Sequence, residues 1–253
     1  MDSGEHMDYA EMLYDAWRYM RQGVFENSGR WLRLILAFIL LAIPMNGYLM
    51  RIYRGAESAP EVDQWGRLFI DGLKLMVISI IYMIPFWLLW FASYWPVVVG
   101  VFSGQMSETA LAAWQPNLIL VVLMYIVEFV IALLLPVVAI RFARTNRVTE
   151  AFNFRAIVDH IARIGWINYI IGVILVGIII AVPVMLLVFI FIILGIILAA
   201  MTGFSITAIL GIIAVAALIF LAIAPFLMVF QARYWTRLYD GAAPIAESAA
   251  PSA

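Results

Sequence analysis

From Gly165 to Ala232 the chain carries no charged side chain and is built almost wholly of Ile, Leu, Val, Ala, Phe and Met. A helix needs about 20 mainly apolar residues to cross the hydrocarbon layer. This run therefore holds at least two crossings, and lipid, which offers the backbone no hydrogen-bond partner, requires them to be helical. With 66% of its 253 residues hydrophobic and a mean hydropathy of +1.04, the whole chain is too apolar for a soluble domain. An all-α, polytopic transmembrane bundle with amphipathic interfacial helices is expected. The net charge of -1 is a sum of scattered charges with no basic stripe, which argues against nucleic acid. Zero Cys excludes disulfides and thiolate chemistry, and with only His6 and His160 no multi-histidine metal site and no cofactor motif is expected.

The chain divides into an N-terminal amphipathic interfacial segment (1–30), a transmembrane helical domain (31–240) and a tail (241–253) of Ala, Pro and Ser that is expected to be disordered. The acidic start does not fit a cleaved signal peptide, so the first membrane segment is expected to be retained. Tyr9, Met12, Leu13, Ala16, Trp17 and Met20 recur at helical spacing opposite Asp8, Glu11, Asp15, Arg18 and Arg21. That pattern predicts a helix lying in the interface. Trp31 to Met50 is nearly long enough to cross, yet Pro44, Asn46 and Gly47 interrupt it and arginines flank both ends, so it reads as a re-entrant hairpin or as one tilted span. Leu68 to Phe102 and Leu118 to Ile140 are spans. Parity then favours two more, near Ile167 to Leu198 and Phe204 to Gln231, with an outer turn at Met201 to Ser205. Arginine-bearing connections belong on the cytoplasmic side, which places the C-terminus there and the loop from Gly104 to Pro116 outside.

A design recurs. Arg51 and Arg54 precede Trp65, Arg67 and Asp71, as Arg141 and Arg144 precede Phe154, Arg155 and Asp159, and Arg233, Trp235, Arg237 and Asp240 echo it near the end. Either an internal duplication produced this, or any inner-face helix ahead of a span collects such charges. The connection from Thr149 to Arg163 is amphipathic, with Phe154, Ile157, Val158 and Ile161 on one face, His160 on the other, and Thr149 placed as the cap.

Glu128 stands mid-span and is the only acid at that depth. A charged residue at the bilayer centre costs some 2.5 to 3.5 kcal/mol on insertion scales and normally faces the bundle interior with a partner. Two roles fit it: a proton or cation site, or a protonated acid that glues helices together through a hydrogen bond. The second is favoured because no other ionisable group shares the depth. Ser79, Tyr82 and Tyr125 are the expected partners. On the inner face, Asp71 is expected to pair with Lys74 and Arg67, within a charge network of Arg51, Arg54, Arg67, Asp71, Lys74, Arg141, Arg144, Arg155 and Asp159. Several arginines there could also recruit anionic lipid, although fixing topology suffices to explain them. Gly172, Gly177, Gly195, Gly203 and Gly211 allow close helix approach, without the four-residue spacing of a GxxxG face. Pro85, Pro96, Pro136, Pro183 and Pro225 bend spans or mark their ends.

Gly47-Tyr48-Leu49-Met50-Arg51 to Arg54, then Trp65-Gly66-Arg67-Leu68-Phe69-Ile70-Asp71-Gly72-Leu73-Lys74 and Ile81-Tyr82 to Pro85, resemble the signature of a prokaryotic membrane family catalogued as domain of unknown function 4013. Arg141-Phe142-Ala143-Arg144, Ala151-Phe152-Asn153-Phe154 and Gln231-Ala232-Arg233-Tyr234 extend the resemblance to roughly Tyr14 to Asp240. It implies a polytopic helical membrane protein, often archaeal, with no established activity and no catalytic residues to carry over.

The function expected is a non-catalytic accessory subunit or scaffold in the cell membrane, in contact with lipid and packing against a membrane-protein partner or a second copy. The alternatives are a small transporter or channel using Glu128 and, last, a lipid-modifying enzyme drawing on Arg67, Asp71, Arg155, Asp159 and His160.

Overall fold

The computed structural model describes residues 8–203 and 205–242, apart from the side chains of Glu108 and Ala112; the first seven residues and most of the expected tail lie outside them. In chain order the helices are α1 (Tyr9–Met20), which runs on through a π-helical turn at Arg21–Phe25, then α2 (Ser28–Ile39), α3 (Ile43–Tyr53), α4 (Trp65–Phe102), α5 (Glu108–Ala113), α6 (Leu118–Thr145), α7 (Val148–Ala151), α8 (Phe154–Ile164), α9 (Trp166–Met201) and α10 (Ile206–Asp240). Among the described residues there is no strand.

Four of these helices, α4, α6, α9 and α10, are long and apolar enough to cross a membrane, at 28 to 38 residues each. Their order makes two hairpins, α4–α6 and α9–α10, with the arginine-bearing connections together at one end of the bundle. The five expected prolines all sit inside these helices and end none of them.

The stretch from Trp31 to Met50 is a broken pair rather than one helix. The Asn27 side chain caps α2 by accepting from the Arg30 amide at 2.9 Å, and α2 stops where Leu41 and Ala42 turn left-handed at φ 58° and 57°. Pro44, in the first turn of α3, restarts the helix at a position where its missing N–H costs nothing. At 12 and 11 residues, about 18 Å or less each, neither helix can cross alone. The pair returns to its own end, because Arg30 at the start of α2 meets Glu61 beyond α3 at 2.5 Å. The hairpin reading therefore holds over the single tilted span.

Two glycines let α3 lie directly on α4. A Cβ on Gly47 would sit 1.9 Å from the Leu68 carbonyl oxygen, and one on Gly72 would sit 1.8 Å from that of Ile43, so the backbones themselves touch in antiparallel register. Around this contact the core fills the arginine-bearing half of the bundle, with Tyr48, Met50, Phe142, Tyr169 and Tyr234 all fully buried. The far halves are left open. The most apolar stretch of α10 has none of its residues buried, and that of α9 has 6%.

Both amphipathic segments depart from the expected wheels. In α1 Asp15 and Tyr19 face inward while Trp17 is 54% exposed, because α1 packs along α10 as well as lying at the surface. In α8 the cap is Asn153, whose side chain accepts from the Ala156 amide at 3.2 Å, and Thr149 lies in the separate turn α7. His160, expected on the polar side, is buried beneath Tyr239.

Candidate functional site

The charged side chains converge where α3, α6 and α10 end. A helix C-terminus leaves carbonyls unbonded and carries partial negative charge, so arginines placed there satisfy both. The first two ends satisfy each other: the Arg54 Nε donates to the Ala143 carbonyl at 3.2 Å, and the Arg144 Nε donates to the Tyr53 carbonyl at 3.1 Å. Each arginine thus binds the carbonyl immediately preceding its counterpart.

Each also has an acid of its own. Arg54 pairs with Asp71 at 2.8 Å, and Arg144 pairs with Asp240 at 2.7 Å while lying over the Tyr239 ring. Arg51 reaches Asp63 at 2.5 Å and the Glu61 and Asp63 carbonyls, which ties down the connection after α3. Arg141 does the same after α6 through Glu150, whose carboxyl is pulled below its ordinary range chiefly by that hydrogen bond. The network expected on the inner face is thus assembled for Arg51, Arg54, Asp71, Arg141 and Arg144. Asp71 meets Arg54 from α3, in place of the expected Lys74 and Arg67. Arg67 turns to the Gln64 side-chain oxygen at 3.1 Å, Lys74 is exposed, and Arg155 and Asp159 form an exposed pair at 4.0 Å.

The most deeply buried charges are ones the spacing did not single out as a site. Asp15 accepts from the Arg233 Nε at 2.7 Å and the Arg237 Nε at 2.8 Å, with Asp15 and Arg233 each only 7% exposed. Those bonds, Arg237's foremost, hold the Asp15 carboxyl well below the usual carboxylate range. Arg233 also donates to the Ala56 carbonyl at 2.8 Å and lies over the Tyr19 ring, whose hydroxyl burial pushes up to about 12. One carboxylate therefore locks α1, α10 and the loop after α3. The sequence signal was two arginines four apart on α10, one helical turn, facing an acid on α1.

The intramembrane set expected around Glu128 is not brought together. Glu128 is exposed on α6 with no hydrogen-bond partner among the described residues, and Tyr125, one turn before it, is 67% exposed. Tyr82 donates instead to the Ala151 carbonyl at 2.6 Å, and Ser79 donates to the Leu75 carbonyl of its own helix at 3.0 Å. The helix α6 is apolar on every side, so no pattern in the sequence fixes its rotation, and the rotation adopted turns Glu128 away from α4.

A family model described as a protein of unknown function (DUF4013) matches residues 32–192 of the chain. No curated protein matches, and no solved structure does.

Proposed function

The chain belongs to the DUF4013 family of unknown function, and on that premise we propose that it is a non-catalytic accessory subunit or scaffold of the cell membrane whose α6 flank packs against another transmembrane helix. The observation that carries this reading is Glu128, a mid-span acid that is exposed and has no partner in its own chain among the described residues. Left in hydrocarbon it costs some 2.5 to 3.5 kcal/mol. A neighbouring helix that offers a hydroxyl, an amide or a second carboxylic acid removes most of that cost. The arginine-bearing end faces the cytoplasm, following the bias of Arg and Lys toward cytoplasmic flanks. The reciprocal Arg54 and Arg144 bonds support reading the two halves as repeats about an axis along the membrane normal, since an isologous contact joins i to j and j to i.

The chain has no native cysteine, so single cysteines report cleanly. In native membranes Val122→Cys and Phe129→Cys, on the exposed surface of the same helix, are expected to cross-link to a second copy or to one reproducible partner. Glu128→Gln keeps a hydrogen-bonding group and retains the adduct, whereas Glu128→Leu loses it. A chain that remains an uncross-linked monomer at both positions overturns the reading.

A further inference from the structure

One cavity of about 370 Å³ lies where α3, α4, α6, α9 and α10 meet, within the range of sites that hold small organic molecules. Its polar lining is Asn46, Tyr53, Ser79, Gln231 and Trp235, and it contains no charged side chain. The rest of the wall is aliphatic apart from one bare backbone surface at Gly177.

Apart from Ser79, whose hydroxyl donates to the Leu75 carbonyl, the polar groups are not consumed by the fold. Asn46 spends its amide nitrogen on the Ala42 carbonyl at 3.0 Å, which leaves its side-chain oxygen free to accept. Neither the Tyr53 hydroxyl, the Gln231 amide nor the Trp235 indole N–H has a hydrogen-bond partner among the described residues. None of these atoms is sealed from contact either, since the buried side-chain atoms lacking partners are Arg30 Nε and Ser93 Oγ. Tyr53 and Trp235 are each 8% exposed overall, so the little surface they keep opens on the cavity. Buried polar groups are ordinarily satisfied. Here a donor-rich and acceptor-bearing cluster is left for something else to satisfy.

Gly177 shapes one wall. Gly47 and Gly72 are glycine because another backbone occupies the space a Cβ would need, but a Cβ on Gly177 would meet nothing within 4 Å. A helix-interior glycine costs about 1 kcal/mol relative to alanine, and no packing contact requires this one. At this point the cavity wall is bare backbone.

The arrangement has a direction. Tyr53, Gln231 and Trp235 lie within about 3 Å of Arg54 or Arg233 along their helices, whereas Ala132, Val173 and Gly177 lie about 10 Å or more from the arginine-bearing ends of α6 and α9. A ligand held here keeps its polar end toward the arginine layer and its apolar part toward the bundle centre, which is how a lipid of that leaflet lies. We infer that this cavity binds a neutral amphiphile with a compact hydroxyl-bearing head, of the glyceride type. Gln231 and Trp235 grip the head, and the bare surface of Gly177 admits the first part of the chain.

The probe is a short-chain diacylglycerol with a diazirine near the head, added to the purified full chain in detergent, with insertion mapped by mass spectrometry. Label is expected on α10 around Gln231 to Trp235 and on α4 around Leu75 to Ser79. Unlabelled diacylglycerol should displace it, but phosphatidate of the same chain length or free glycerol should not. Gln231→Leu should weaken labelling about tenfold, the loss of one or two net hydrogen bonds. Gly177→Phe should abolish labelling with the melting temperature unchanged or raised, because it fills empty space. Undiminished labelling in either folded variant overturns the site. Equal displacement by phosphatidate overturns the neutral head, and displacement by glycerol alone overturns the amphiphile in favour of a small polyol. The competition is read on the unmodified chain, so it decides even if a variant fails to fold.

Discussion

At the scale of single residues, burial separates the charges that hold this molecule from those that decorate it. Asp15 and Arg233 are withdrawn from water together, and removing one member of a buried pair leaves the other uncompensated, at a cost of about 3 to 5 kcal/mol. Asp15→Ala should lower the melting temperature of the detergent-solubilised chain sharply, whereas Arg21→Ala, which breaks an exposed pair with Glu26, should cost about 1 kcal/mol or less. His160 predicts a pH dependence. Its Nε2 lies 3.0 Å from the Tyr239 carbonyl and its Nδ1 lies 3.1 Å from the Arg163 guanidinium, so the neutral ring donates from one nitrogen and accepts at the other. A second ring proton would face that guanidinium. Burial first, opposed by the carbonyl bond and then reinforced by the charges of Arg163, Arg141 and Arg144, holds the His160 pKa below its ordinary value. The unfolded chain then takes up the proton at a higher pH than the folded one. The stability His160 contributes is therefore complete above about pH 6.5 and is lost as pH falls below that. Melting curves recorded from pH 7.5 to 5.5 should show the wild type losing stability, with a smaller loss in His160→Gln, which keeps one donor and one acceptor. Equal slopes would remove the argument. Helical spacing did show that Asp15 and His160 share polar faces. It could not show that these two side chains turn toward α10, because a wheel built from one segment contains no information about its neighbour.

At the scale of elements, what was legible follows from how few solutions each pattern has. An uncharged apolar run in lipid can only be helical, so the four spans are found where expected, with α9 and α10 meeting near the anticipated turn, although α10 runs nine residues past the expected Gln231, to Asp240. The contact between α3 and α4 has no such signature, because it uses one glycine from each helix and therefore leaves no repeated spacing in either. The glycines whose number suggested close helix approach, from Gly172 onward, include Gly177, which packs against nothing. The α3–α4 contact predicts a sharp contrast within a single helix. Gly72→Ala drives a methyl group into the Ile43 backbone and must push α3 off α4, whereas a Cβ on Gly66, at the start of α4, meets nothing within 4 Å. Overpacking of this kind costs about 1 to 3 kcal/mol where a side chain can yield, and more where, as here, it meets backbone. Gly66→Ala should be neutral or slightly stabilising, since alanine is the better helix former. Thermal unfolding of the two variants side by side checks it, and equal melting temperatures would show that α3 and α4 do not touch as described.

At the scale of the whole molecule, the two ends of the bundle are built from different materials. One end gathers three arginine-bearing helix termini, the α1 helix and nearly all of the buried core, and the other spreads apolar helix halves with little packing inside the chain. This asymmetry was only half legible, since flanking arginines assign the connections to one end, but depth along α6 could be counted whereas its rotation could not, and Glu128 was therefore expected on the wrong side of its helix. It also predicts a topology. Four helices are long and apolar enough to cross, an even number that returns the chain to its starting end, and the α2–α3 pair adds none, because Arg30 and Glu61 meet across it. Positions 58 and 146, in the arginine connections, must then lie on one face of the membrane and position 105, beyond α4, on the other. In the cysteine-free chain, Ser58→Cys and Asn146→Cys should be protected from a membrane-impermeant maleimide applied to intact cells and should react once the membrane is opened, whereas Gln105→Cys should react at once. All three side chains are exposed, so protection reports the membrane rather than burial in the protein. If positions 58 and 146 label from opposite sides, the α2–α3 pair or one of the four long helices has been assigned the wrong path, and the shared arginine layer could not form.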